Sequence, residues 1–133
     1  AGAARCRLVD LGNPHCVVFG EPVTPARCRE LGPYLERHPR FPNRTNVQLA
    51  EVRDRGHLAA VIWERGAGYT LASGTSASAV AAAAMRIGAA DDEVQVAMPG
   101  GTLAVRRLPG GELVQTGPAR RVYRASVDTA DLV

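Results

Sequence analysis

From Thr45 to Arg53 apolar and polar positions alternate, with Val47 and Leu49 on one side and Asn46, Gln48 and Ala50 on the other. A period of two is the signature of a strand with unlike faces. Asp54-Arg55-Gly56 supplies tight-turn chemistry, and His57 to Trp63 returns as an apolar partner. The pattern predicts a hairpin that delivers Glu64 and Arg65 to its end. Upstream, Arg5 to Leu11 and His15 to Phe19 read as strands separated by Gly12-Asn13-Pro14. Thr24-Pro25 is a helix start, a capping hydroxyl followed by proline at the first helical position. That helix is predicted to run to Leu31, to be interrupted by Gly32-Pro33, and to resume for one turn over Tyr34 to Arg37. Pro39 and Pro42 bracket an extended loop.

Downstream, Glu93 to Met98, Leu103 to Leu108 and Leu113 to Thr116 are separated by two Pro-Gly-Gly turns and read as an antiparallel meander. Gly117-Pro118-Ala119 ends it, and Arg121 to Ala125 is expected to form one more strand. Between the hairpin and the meander, Ser76 to Ala84 offers no charged face for at least two helical turns. A helix without a polar face is surrounded by protein, and its small side chains let neighbours approach the axis closely. Gly88 is placed to cap it. The fold class predicted is α+β: a strongly curved, mostly antiparallel sheet wrapped around a central alanine-rich helix.

The stretch from Trp63 to Met85 thus reads as strand, glycine-rich turn (Gly66, Gly68) and helix start at Ser73-Gly74-Thr75. The first helical N–H groups have no internal partner and carry the positive end of the macrodipole, so this arrangement can receive an anion. A chain of 133 residues with 46% hydrophobic content supports one domain with a core. The net charge is +3, and all sixteen basic residues are arginines, scattered and with few aromatics between them. A nucleic-acid surface would concentrate them beside stacking rings, so none is expected. Cys6, Cys16 and Cys28 show neither Cys-x-x-Cys pairing nor metal-ligand spacing, and are expected to be free, buried thiols in a reducing compartment. No apolar run reaches membrane-spanning length, and Ala1 to Ala4 lacks the start of a signal peptide, so a cytoplasmic location is expected.

Taken singly, the polar motifs have ordinary structural explanations. Asn13-Pro14-His15 could be a turn with an Asx-type bond, Asn46 an exposed strand residue, Glu64-Arg65 an ion pair, and Ser73 a helix cap. Taken in order they carry a resemblance. Gly-Asn-Pro-His at 12–15, Leu-Gly-Pro-Tyr-Leu-Glu at 31–36 and His-Pro-Arg-Phe-Pro-Asn-Arg-Thr-Asn-Val at 38–47 are followed by Trp-Glu-Arg-Gly-Ala-Gly at 63–68. Leu-Ala-Ser-Gly-Thr at 71–75, Met-Pro-Gly-Gly at 98–101 and Thr-Gly-Pro-Ala at 116–119 complete the series. Together they resemble the C-terminal half of diaminopimelate epimerase and its cofactor-independent racemase relatives.

The resemblance implies one of two similar halves, each a curved sheet around a central helix, with the active site between them. It implies epimerisation of LL- and meso-diaminopimelate, a lysine and peptidoglycan precursor, by two-base proton transfer at the α-carbon without metal or other cofactor. By the same resemblance the Gly74 and Thr75 N–H groups hold the substrate α-carboxylate, and Asn13, Asn46 and Arg65 hold its distal end. His15 and Glu64 stand beside the reacting centre, where they assist proton transfer or bind the ammonium group.

Two departures qualify this. The family's Ala-Cys-Gly-Thr is here Ala-Ser-Gly-Thr, so Ser73 occupies the catalytic cysteine position. A serine hydroxyl ionises many pH units above a thiol, and loss of one acid–base partner costs on the order of 10²–10⁴-fold. The N-terminal half, with the other cysteine, is the implied partner and is not in this sequence. Residues 1–126 are therefore expected to form a C-terminal-type domain and residues 127–133 a tail that would pair with that half. The lone chain is expected to be inactive, and its uncovered face to favour a homodimer. The alternatives are a non-catalytic amino-acid-binding or assembly module, and a related racemase or dehydratase acting on another amino acid.

Overall fold

A computed structural model describes residues 5–132; Ala1–Ala4 and Val133, the end of the expected tail, lie outside the described residues. The predicted hairpin forms as β3 (Asn46–Asp54) and β4 (His57–Glu64), antiparallel, with a register shift between Val52 and Asp54 at its turn. β1 (Arg5–Asp10) and β2 (Pro14–Phe19) pair antiparallel. β6 (Glu93–Met98), β7 (Gly101–Arg107) and β8 (Leu113–Thr116) make the expected meander. A short strand that sequence pattern did not single out, β5 (Gly68–Thr70), folds back on β4. The sheet runs β1-β2-β3-β4-β6-β7-β8, with β5 beside β4. Its two parallel pairings, β2 with β3 and β4 with β6, are the places where the chain crosses over through a helix.

The first crossover is α1 (Pro25–Glu36), whose cap Thr24 accepts the Arg27 N–H at 3.2 Å. It packs on the face bearing Cys16, Val18, Val47, Leu49 and Val61. The expected interruption at Gly32-Pro33 does not occur, and the helix continues through Pro33. Packing outweighs the local cost of proline. A Cβ on Gly32 would stand 2.5 Å from Trp63 Cγ, so this turn of helix lies directly on the indole.

The second crossover is α2 (Gly74–Arg86), which touches β1, β2, β3, β4, β6, β7 and β8. Its Ala77, Ala79, Val80, Ala81 and Ala84 are fully buried, and the α+β architecture is a curled sheet around this helix, as its lack of a polar face required. Gly88 closes it at φ +74, with its own N–H on the Met85 carbonyl and the Ala89 N–H on Ala84, the paired bonds of a Schellman cap. Between edges β1 and β8 the wrapping stays open, leaving a slot of about 860 Å³ floored by Thr75, Ser78, Ala82 and Arg86.

Two expectations fail at the periphery. Arg121 to Ala125 is not a strand: it has no pairing neighbour among the described residues, and Val122 is 86% exposed. Beyond it the described tail forms only an exposed 3-10 turn, Thr129–Leu132. Cys16 and Cys28 are buried as expected, but Cys6 lies exposed because β1 is an edge strand.

The Gly32–Trp63 contact makes a direct prediction. Gly32→Ala should destabilise the fold by about 1–3 kcal/mol through overpacking. Urea denaturation followed by fluorescence of the sole tryptophan measures this; an unchanged midpoint would show that the helix can move off the ring.

Candidate active site

Strand direction gathers the polar motifs. β2 and β3 are parallel and β4 runs against β3, so the starts of β2 and β3 and the end of β4 share one end of the sheet. α2 begins at that end. Ser73, extended at φ −155, accepts the Ser76 N–H on its Oγ at 3.3 Å and the Ala77 N–H on its carbonyl at 3.0 Å. Thr75 Oγ1 lies 3.5 Å from Ser73 Oγ. The Gly74 and Thr75 N–H groups are left without a partner among the described residues, open at the positive end of the helix. A Cβ on Gly74 would come within 2.7 Å of the Gln115 amide, the outer end of an exposed side chain.

His15 is 1% exposed and its ring is held from both sides. Nε2 lies 3.0 Å from Asn13 Oδ1, and Nδ1 lies 3.0 Å from Gln48 Nε2. Burial holds the imidazole below its usual pKa, with Arg65 acting in the same sense and Asp10 opposing. The Asx-type bond of the preceding turn is made by Asp10, whose Oδ1 accepts the Gly12 N–H at 2.9 Å, and not by Asn13.

Asn46 is buried, not solvent-facing, because β3 is covered on both faces. Its Nδ2 donates to the Pro14 carbonyl at 3.0 Å and its Oδ1 accepts the Arg65 N–H at 2.9 Å, tying β2 to the end of β4. The strand ends between Glu64 and Arg65. By alternation with Ile62, Glu64 belongs to the α2 face, and its carboxylate has no hydrogen bond or ion pair among the described residues. Arg65 is exposed and reaches the Asn43 carbonyl at 3.1 Å, so the two do not pair with each other. The structure brings Asn13, His15 and Asn46 into direct contact with one another's segments and places Ser73–Ser76 across Gln48 from them.

Three participants carried no role in the sequence reading. Gln48 and Ser76 join His15 to the first turn of α2, with Gln48 Nε2 donating to Ser76 Oγ at 2.9 Å. Glu36, 3% exposed at the end of α1, accepts the Trp63 indole N–H at 2.8 Å and the Gly66 N–H at 3.0 Å, with Arg44 at 3.5 Å. Burial alone would raise its pKa, but the Trp63 and Gly66 bonds and the arginines outweigh it and hold the carboxylate below its usual range. The available signal for Glu36 was its place in the 31–36 motif, and for Gln48 its place on the same strand side as Asn46. The two buried cysteines offer no substitute base: burial pushes Cys16 up to about 12, with Cys6 adding to it, and Cys28 up to about 11. No cluster of three metal-ligating side chains occurs, and no helix is long and apolar enough to cross a membrane, among the described residues.

A curled sheet around a buried helix, with open N–H groups and a buried imidazole at one end, defines the α+β class of this domain. The diaminopimelate epimerase family model matches residues 7–122. A diaminopimelate epimerase of Synechococcus elongatus is 44% identical over 95% of this chain and 45% of its own length. Diaminopimelate epimerase 2 of a Nostoc species is 50% identical over 90% of this chain and 42% of its own length. One from Stutzerimonas stutzeri is 48% identical over 88% and 43%. The chain belongs to the diaminopimelate epimerase family, and it spans less than half the length of these relatives. In fold it is similar to the crystal structure of a Bacillus anthracis phenazine biosynthesis protein of the PhzF family, at TM-score 0.57 and 12% identity, over 78% of this chain and 34% of that one.

Glu36 gives this region a pH signature. Its folded-state pKa is depressed, so its stabilisation is present above the ordinary carboxylate pKa and is lost as pH falls through the folded value. Glu36→Gln, which turns an amide N–H toward one of two donors, should cost about 1–3 kcal/mol near neutrality. Denaturant unfolding across pH should show the gap between variant and parent closing below the carboxylate range; a gap independent of pH would rule out the ionised form.

Proposed function

We propose that this chain supplies the C-terminal half of a two-domain, cofactor-independent isomerase that interconverts LL- and meso-diaminopimelate, and that it does not turn over by itself. The observation that carries the reading is the pair of open N–H groups at Gly74 and Thr75, on the same end of the fold as His15, Asn46 and Arg65. An α-carboxylate at the start of α2 would meet two donors and the positive end of the dipole. Those groups would also stabilise the charge that moves onto the carboxylate as the α-proton leaves. The exposed guanidinium of Arg65 and the amides of Asn13 and Asn46 are the groups we assign to the distal amino-acid end. His15 and Glu64 are assigned to the reacting centre.

Inversion needs one group to take the α-proton and a second to deliver a proton to the opposite face. Ser73 stands where the family has one of these groups. Its Oγ contacts the Ser76 N–H and Thr75 Oγ1, and no basic side chain touches it among the described residues. Serine does keep the other duty of the position, because it ranks among the best helix caps. The cradle is therefore retained while the proton transfer is impaired. The opposing group would come from the other half of a full-length relative.

The test is solvent deuterium incorporation at the α-carbon of LL- and meso-diaminopimelate. The chain as given is expected to show none above background, and Ser73→Cys is expected to restore it only when an N-terminal half is supplied in trans. Robust two-way exchange by the unaltered chain would overturn the claim of inactivity. The second reading, an amino-acid-binding module, is favoured by the same intact cradle beside a non-ionising Ser73. Calorimetry on the lone chain with a panel of amino acids separates the two, since binding without exchange even in the presence of an N-terminal half and Ser73→Cys supports the module.

A further inference from the structure

Gln48 is fully buried between His15 and Ser76, and its amide is satisfied at one end only. Nε2 stands 3.0 Å from His15 Nδ1 and 2.9 Å from Ser76 Oγ. Oε1 is buried with no partner among the described residues. An amide carries two donor hydrogens on nitrogen and only acceptor lone pairs on oxygen. With nitrogen lying between the imidazole and the hydroxyl, both must accept. His15 Nδ1 therefore carries no proton, and the single proton of the neutral ring sits on Nε2, where Asn13 Oδ1 accepts it at 3.0 Å. Turning the amide over would put Nδ1–H and Ser76 O–H on Oε1, but it would orphan the amide nitrogen and leave a bare Nε2 facing the Asn13 oxygen, acceptor against acceptor. The orientation with nitrogen toward the ring leaves only Oε1 unmade, so the amide and the ring choose together.

We infer that Gln48 is a positioning residue for His15: its amide nitrogen fixes Nδ1 as an acceptor, places the ring's only proton at Nε2 beside Asn13, and ties that choice to Ser76 in the first turn of α2. No proton passes through the amide; it selects which nitrogen holds one. The charged groups acting on the ring are Asp10 from β1 and Arg65 from the end of β4, which pull in opposite senses. The use of the Nε2 proton at a substrate α-carbon rests on the function proposed above, whereas the tautomer does not.

Long-range proton–nitrogen NMR of the ¹⁵N-labelled 133-residue chain reads each imidazole nitrogen directly. The expected result at neutral pH is a protonated Nε2 and a bare Nδ1 on His15. A proton on Nδ1 would overturn the assignment. Gln48→Glu faces Nδ1 with an acceptor and is expected to move the proton onto Nδ1, with a large upfield move of that nitrogen. Gln48→Met removes both amide ends but leaves Asn13 Oδ1 on Nε2, and is expected to keep Nε2–H as the major form with a partial shift toward the other tautomer. If folded Gln48→Glu keeps the pure Nε2–H form, residue 48 does not govern the proton and the inference fails. If neither variant folds, the parent spectrum alone decides. The measurement uses no substrate, so failure of the proposed activity leaves it intact, and an adverse tautomer leaves the family membership untouched.

Discussion

The constraint on which the fold depends is the thinness of α2. A helix whose buried positions are Ser76, Ala77, Ala79, Val80, Ala81, Ala83, Ala84 and Met85 presents little more than its backbone cylinder for two turns. Strands can close around it only because methyl groups, not leucine-sized side chains, separate them from the axis. That closeness is also what gives the site its form. Side chains as short as Gln48 and Ser76 can bridge sheet and helix at hydrogen-bond distance because the two elements nearly touch.

A buried carboxylate fixes the other side. Glu36 ends α1 on one face of the sheet, yet its oxygens hold the indole of Trp63 and the backbone of Gly66, and its own carbonyl accepts the Thr45 N–H at 3.3 Å. An anion removed from water must be fully compensated, and here two N–H donors and a neighbouring guanidinium do so. The turn after β4 is consequently defined at consecutive residues, Arg65 by Asn46 and Gly66 by Glu36. Arg44, the one described non-glycine residue at positive φ (59°), belongs to the same arrangement, since its backbone turns the chain from the loop into β3 while its side chain meets Glu36.

Much of this was legible in the residues. Alternation identified the hairpin, the two Pro-Gly-Gly turns identified the meander, and the missing polar face identified the central helix. Less legible was anything decided by what covers a segment. Pro33 looked like a helix breaker because the indole that holds the helix together lies thirty residues on. Arg121 to Ala125 looked like a strand because its residue types fit one, but pairing needs a neighbour that local pattern cannot show. The polar side of β3 looked like a solvent face because alternation reports two unlike faces and not which solvent each meets. Asn46 and Gln48 were placed on the correct side of the strand, and the fact that this side is interior emerged only with α2 in place. The candidate residues lie on the strands, turns and helix start that the pattern assigned them, while Gln48, Ser76 and Glu36 work through contacts between elements and left only faint marks in sequence.

The burial of both faces of β3 carries a further consequence. In an ordinary hairpin a slip of one residue exchanges a wet face for a dry one, and solvation corrects the error. Over Asn46–Ala50 neither face is wet, so along those residues a general preference for oil over water does little to distinguish the right alignment from the wrong one. Asn46 and Gln48 supply the missing distinction. Shifted by one, they would be driven into the apolar layer under α1, with Pro14, His15, Arg65 and Ser76 all losing partners at once. The polar groups that equip this end of the fold also serve as its alignment key, and the chain reaches its core and its chemistry by a single fit.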